Sequence, residues 1–244
     1  MRAAALLATA ACCGALVAPA AAQAPPSVRL ALTPDRAGAP ARAVATFTPA
    51  QGEQRIPDAL VVVAPAGLRF EPRAVAARCA DGAAAEGSCP AASRIGAGEI
   101  RATVTLLGSQ TLRGELHLGQ RRAGEVAGLW LTADGLRGAV RGSVRRARGA
   151  PVVRFDGLRE QAPALPPGSV RIDGVDLRLG GQKRTVTRRV RGRRVRTTYH
   201  LLRNPSRCPT GGWKGRAELV YGAEVQGVDV FTSCRPAAER RART

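Results

Sequence analysis

Residues 98–107 read Gly-Glu-Ile-Arg-Ala-Thr-Val-Thr-Leu-Leu. Ile100, Ala102, Val104 and Leu106 fall on one side of such a segment, and Glu99, Arg101, Thr103 and Thr105 on the other. Residues 111–119 repeat the pattern, with Leu112, Leu116 and Leu118 opposed to Arg113, Glu115 and His117. A period of two marks a strand with one buried face and does not fit a helix. Further strands are predicted at 27–33, 42–48, 59–64, 126–132, 139–145, 151–156, 169–179, 184–190, 194–202, 216–221 and 226–232. Asp134-Gly135 and Asp156-Gly157 punctuate them as turn signals. The apolar parity shifts between Ile172 and Val175, so Asp173-Gly174 marks a turn or a bulge. The best helical candidate is one short turn over 73–77. Many short strands with frequent turns predict an all-β protein, an antiparallel β-sandwich. The expected domain runs from 23 to 234, with a possible sub-boundary near 72–94 and a basic disordered tail over 235–244.

The first residues read as an export signal. Arg2 is a short basic start, an apolar run follows from Ala3 to Ala18, and Ala20-Ala21-Ala22 supplies the small residues that signal peptidase cuts. The expected signal peptide is therefore 1–22, with the mature chain starting at Gln23. The run is mostly alanine, ends at Pro19 and falls short of the roughly 20 strongly apolar residues that a spanning helix needs. Thr9-Ala10-Ala11 before Cys12 is a poor lipidation box. A mature chain of some 222 residues, the 244 less those 22, is long enough to build a real core.

Cysteine usage agrees with export. Cys12 and Cys13 leave with the signal, and Cys79, Cys89, Cys208 and Cys234 remain. An even number in an exported chain predicts two disulfides. Four cysteines allow three pairings, and proximity along the chain favours Cys79–Cys89 and Cys208–Cys234. No spacing is a Cys-x-x-Cys pair, which argues against zinc held with His117 or His200. No metal and no cofactor is expected.

Charge supplies the strongest functional signal. The net charge is +20, and Lys183 and Lys214 are the only lysines among 38 basic residues. The preference for arginine reads as a high-GC genome, but the excess of base over acid favours anionic partners. It peaks at 183–196, where Val186, Val190, Val195, Tyr199 and Leu201 recur as apolar posts of a hairpin turning at Arg191-Gly192-Arg193. That hairpin carries Lys183, Arg184, Arg188, Arg189, Arg191, Arg193, Arg194 and Arg196 with no acid between them. A solvated edge that blocks strand-to-strand pairing explains part of this charge. Eight unbalanced cations exceed that need, so these residues are the candidate polyanion-binding site. Nucleic acid is the less favoured partner, because Tyr199 alone could stack a base.

Catalytic equipment is sparse. The sequence holds no Gly-x-Ser-x-Gly elbow, no His-Glu-x-x-His and no phosphate-cradling loop. His117 and His200 both read as surface strand residues. A triad built on Ser93 stays open in principle, but Ser93 reads better as the cap of the turn before Ile95. Glu115 with Glu125, or Asp173 with Asp176, could supply paired carboxylates for a glycosidase, and ion pairing is the plainer reading. Trp213 is expected to cover the Cys208 bridge or one end of the fold, with a sugar platform as the alternative.

Three stretches are familiar. Residues 64–72, 79–100 and 201–234 carry a Pro-x-Gly-Leu-x-Phe lead-in, a Cys-Pro-x-x-Ser-x-Ile-Gly segment before a strand, and an Asn-Pro…Cys…Gly-Trp…Cys ending. Together they resemble a family of uncharacterised secreted proteins from high-GC actinobacteria. The resemblance implies a secreted, disulfide-stapled β-sandwich and implies no activity. The arginine-rich hairpin and the sparse aromatics depart from that pattern. The expected function is a non-catalytic exported or envelope-associated protein that contacts anionic wall polymers or lipid head groups. The alternative is an extracellular hydrolase.

Overall fold

The computed structural model describes residues 24–133, 138–161 and 169–237. The expected signal peptide, the Asp134-Gly135 turn and the tail from 238 onward lie outside the described residues. In chain order the strands are β1 (Ser27–Thr33), β2 (Arg42–Thr48), β3 (Ala59–Val63), β4 (Arg69–Phe70), β5 (Arg94–Val104), β6 (Gly108–Gly119), β7 (Ala127–Ala133) and β8 (Val140–Ala147). Then come β9 (Ala150–Asp156), β10 (Val170–Gly180), β11 (Lys183–Val190), β12 (Arg193–His200), β13 (Leu202–Arg203), β14 (Trp213–Tyr221) and β15 (Glu224–Thr232). The helices are single turns: α1 (Asp81–Ala85), α2 (Leu158–Gln161) and 3-10 turns at Pro72–Ala74 and Ala91–Ser93.

The protein is all-β and antiparallel. Eleven strands form one continuous sheet in the order β1-β2-β10-β5-β6-β7-β8-β9-β3-β14-β15. The sheet curls until its edges lie side by side, where Thr232 Oγ1 of β15 donates to the Leu30 carbonyl of β1 at 2.8 Å. Just beyond, Arg36 and Arg235 form a parallel bridge. The expected sandwich is thus realised as a single, nearly closed sheet. Arg235, expected to begin a disordered tail, instead pairs with Asp35 through both its backbone and its guanidinium. The parity shift at Asp173-Gly174 is a bulge, with the β10–β5 register stepping between Ile172 and Gly174.

Leu106 departs from its expected place. Strand β5 ends at Val104, and Leu106 sits in the turn to β6 with φ 147° and 99% exposure. The alternation continued past the strand, and the turn took the leucine away from the core. The main core gathers Ile95, Leu116, Leu118, Leu129, Val144, Phe155 and Leu201 from β5 to β9 and from the β12–β13 corner. A smaller cluster packs Leu32, Ala64, Leu68 and Trp213 against the partly buried Cys208 and Cys234.

Both disulfides form as the spacing predicts, Cys79–Cys89 and Cys208–Cys234. Trp213 is buried, donates its indole N–H to the Arg207 carbonyl at 2.8 Å and covers the second bridge. Its burial rules out the sugar platform. Asn204, buried in the loop after β13, donates from Nδ2 to the Pro34 and Arg36 carbonyls at 2.6 and 2.9 Å and so holds the 34–36 segment. No helix among the described residues is long and apolar enough to cross a membrane.

Candidate polyanion-binding ribbon

The arginine-rich segment folds as a hairpin of its own. Strands β11 and β12 pair only with each other, outside the eleven-stranded sheet. Register runs from Lys183 opposite His200 to Val190 opposite Arg193. The turn is two residues, not three: Arg191 and Gly192 take φ 47° and 76°, and Arg193 already belongs to the strand. Both central residues at positive φ match the primed turns, whose twist suits a two-residue hairpin. Eight paired residues at about 3.4 Å rise extend the ribbon to roughly 27 Å.

Burial along the ribbon shows that it stands free. Every residue of β11 is exposed except the half-buried Val186, and every residue of β12 is exposed except Tyr199 and His200 at its base. Cross-strand partners share a face. One face therefore carries Arg184, Arg188 and Arg193 among Val186, Val190, Val195 and Tyr199. The other carries Lys183, Arg189, Arg194 and Arg196 among threonines and His200, with Thr185 and Thr198 hydroxyls 2.9 Å apart. Arg191 occupies the tip.

None of the ribbon's eight cations forms an ion pair with a carboxylate among the described residues. Elsewhere arginine is routinely engaged: Arg55 bridges Glu53 and Glu224, Arg216 bridges Glu218 and Asp229, and Arg101 holds Asp176. Arg141 grips the buried Glu125 through both guanidinium nitrogens at 3.0 and 2.8 Å, and this fork holds the carboxyl below its usual range. At the ribbon base, burial first and then the cationic Arg203 and Lys183 push the His200 imidazole down.

The ribbon meets the segment around the Pro72–Ala74 turn, and an open cleft of about 480 Å³ lies between them. Arg73 and Arg78 line one wall with Pro72, Val75, Ala76 and Ala77, and Arg184 and Arg188 line the other with Val186 and Tyr199. No carboxylate lines it. Sequence reasoning identified the ribbon wall but missed Arg73 and Arg78, because nothing in the local pattern brings 73–78 beside 184–199. A larger open groove of about 770 Å³ crosses the sheet around β5 and β6. Its Arg94, Arg113 and Arg178 are matched by Glu99, Glu115 and Asp176, so its lining is locally neutral.

His117 departs from the surface placement expected of it. It lies on the polar side of β6 as the alternation says, yet it is only 3% exposed. The reason is the stapled segment: the Cys79 N–H donates to the Leu118 carbonyl at 2.8 Å, and Ser93 Oγ sits 3.0 Å from His117 Nδ1. Glu115 Oε2 lies 3.1 Å from Nε2 on the other side of the ring. Burial outweighs Glu115 and pushes the imidazole below its ordinary range. The Ser93 hydroxyl donates its one proton to the Pro90 carbonyl, so towards the ring it accepts from Nδ1–H. These three residues are linked in the order of a hydrolytic triad, but Nδ1 rather than Nε2 faces the serine and the serine is closed off from solvent. Ser93 is fully buried, and its Oγ also lies 2.6 Å from the Pro90 carbonyl, which suits its expected turn-capping role. The paired carboxylates are engaged as well. Thr103 then Arg171 hold Asp173 low, and Thr46 then Arg101 hold Asp176 low. A general acid needs the opposite shift.

No cluster of three or more His, Cys, Asp or Glu placed for a metal ion occurs among the described residues. No family model, curated protein or solved structure matches the chain.

Proposed function

We propose that this is a non-catalytic exported protein whose free-standing basic ribbon contacts anionic polymers of the cell envelope. The observation that carries the reading is the ribbon's charge state. Eight cations project from a two-stranded arm that packs only at its base, and no acid of the described fold neutralises them. Arginine suits the task, because its planar fork takes phosphate or carboxylate oxygens in pairs. Export is supported by the signal-like residues 1–22, by the two disulfides and by the resemblance of 79–100 and 201–234 to secreted proteins. Outside the membrane, the abundant polyanions are wall polymers and lipid head groups.

The test is retention of the mature protein, starting at Gln23, on isolated envelope separated into peptidoglycan, anionic polymer and lipid. The expected result is binding to an anionic fraction, released by salt and lost when the ribbon arginines are replaced with glutamine. Equal retention of the ribbon variant, or no retention of the parent, overturns the reading.

A further inference from the structure

We infer that the cleft between the ribbon base and the 72–78 segment is a discrete phosphate-binding subsite that seats one phosphorylated unit of a polymer, while the outer ribbon holds the rest of the chain by charge alone. The inference rests on the ribbon's reading as a polyanion contact and gives that contact a defined point of attachment.

The cleft differs in kind from the ribbon surface. It has two walls from separate parts of the chain, and its volume of about 480 Å³ lies in the range of small-ligand pockets. Four guanidinium-bearing side chains converge on it, Arg73 and Arg78 from one wall and Arg184 and Arg188 from the other. Two of them are partly positioned: Arg78 donates to the Gly119 carbonyl at 3.1 Å, and the Arg73 guanidinium lies 5.9 Å from the Tyr199 ring centre. The nearest neutralising contact is weak, with Glu71 4.0 Å from Arg73 and both side chains exposed. The neutral groove on the sheet face shows the contrast, since there each arginine in the lining is offset by an acid.

Charge and geometry together favour phosphate over carboxylate. A single carboxylate brings one charge and two oxygens to four arginines. A phosphate monoester at a chain end or as a substituent brings about 1.5 to 2 negative charges at neutral pH and three strong acceptor oxygens. The guanidinium fork matches those oxygens two at a time. The half-buried Val186 and Tyr199 side chains provide an apolar rim against which the non-ionic part of a polymer unit can rest. Polymer and lipid are both sources of phosphate, and a cleft at the base of a long basic arm fits a flexible chain that continues along the arm.

The test uses the full mature protein with inorganic tripolyphosphate as the short probe, long-chain polyphosphate as the polymer, and phosphatidylglycerol vesicles as the lipid source. Three variants separate the parts: Arg73→Gln on the wall outside the ribbon, Arg184→Gln with Arg188→Gln on the ribbon wall, and Arg189→Gln with Arg191→Gln and Arg194→Gln at the tip. Calorimetry is expected to show one tripolyphosphate per parent molecule. Both wall variants should weaken that binding at least tenfold, and the tip variant should leave it within about threefold while weakening the long polymer. Thermal unfolding of each variant checks the fold, and Arg73→Gln tests the cleft without touching the ribbon. The inference is overturned if the tip variant weakens tripolyphosphate as much as the wall variants do, or if the wall variants bind it as the parent does. A wall-arginine requirement seen only with vesicles makes the cleft a head-group site and overturns the assignment to a polymer. Binding of long polyphosphate without saturable tripolyphosphate binding sinks the subsite and leaves the ribbon reading standing. Failure of the parent to bind any of the probes sinks both.

Discussion

Replacing Arg188, Arg189, Arg191, Arg193, Arg194 and Arg196 with glutamine removes six charges from a chain of net +20, so the variant stays strongly basic. What changes is local. In the parent, a polymer lying on one face of the ribbon meets three or four cations: Arg184, Arg188 and Arg193, or Lys183, Arg189, Arg194 and Arg196, with Arg191 reachable from either. Counterion release at about 0.7 per contact for a single-stranded polyanion then gives a log–log salt slope near −3 for about four contacts. Raising salt from 50 to 200 mM should cost the parent roughly 50-fold in affinity on that slope. The variant keeps only Lys183 and Arg184, which lie on opposite faces, so its slope should fall to about −0.7 and the same salt change should cost roughly threefold. At low salt the parent should bind at least about tenfold tighter, or roughly 1.4 kcal/mol. Fluorescence anisotropy with a labelled polyphosphate or an envelope polymer, titrated at four salt concentrations, reads both quantities. The fold should survive, because all six side chains face solvent. A folded variant that retains the parent's slope would show that binding belongs to the basic surface as a whole and would refute the ribbon assignment.

Three further outcomes follow from the fold. Replacing Cys208 and Cys234 with alanine opens the longer loop, with its sequence separation of 26. It should cost about 3.5 kcal/mol on the chain-entropy account, against about 2.7 for the shorter Cys79–Cys89 loop, and urea titration that ranks them in the reverse order contradicts this. The Glu53 carboxyl is held down from 4.5 to about 2, mainly by its hydrogen bond from Arg55. A depressed folded pKa contributes stability that is complete above about pH 4.5 and is lost as pH falls towards about 2, so Glu53→Gln should flatten the acid limb of the stability profile there. Nitrogen NMR should find His117 neutral at pH 6.5. Because its folded pKa is lowered, the unfolded chain takes up the proton first, and stability should fall as pH drops below 6.5. A charged imidazole at that pH would mean that the burial of His117 is wrong.

The strands were legible because each is a local pattern. Predicted segments such as 27–33, 42–48 and 151–156 coincide with β1, β2 and β9 to within a residue, since one-sided burial imposes alternation on the side chains themselves. The bridges were legible because short spacings leave little choice. What was not legible is non-local. Strand β10 inserts between β2 and β5, and β3 between β9 and β14, pairings that no local pattern records. The burial of His117 is also non-local: alternation placed it on the polar side, and the stapled loop that leads into the neighbouring strand β5 covers that spot. The burial of Asn204 likewise depends on a loop some 170 residues away. Of the candidate site, the ribbon half could be read from its run of arginines. The opposing wall could not, because Arg73 and Arg78 sit in an ordinary loop until the fold brings them to Arg184 and Arg188.

The ribbon also runs against the rules that would make a hairpin stable. Arg189 and Arg194 are direct cross-strand partners, and like charges placed opposite each other destabilise a pair. The turn puts Arg191 at φ 47°, a conformation better suited to asparagine or glycine. Isolated two-stranded hairpins are marginal in water even without such burdens. Here the offsetting terms are the β-branched Val186, Thr187, Val190, Val195, Thr197 and Thr198, the Thr185–Thr198 contact, and a base anchored by the buried Leu201, whose N–H donates to the Gln182 carbonyl at 3.0 Å. A hairpin needed only as a soluble edge would gain by mixing acids among its bases, because opposite charges across the strands attract. Keeping every charge of one sign makes sense if the missing negative charge arrives from outside. On the proposed reading, a bound polyanion would screen the Arg189–Arg194 repulsion, so binding and ribbon order would be linked and the ligand would relieve a cost carried by the free arm.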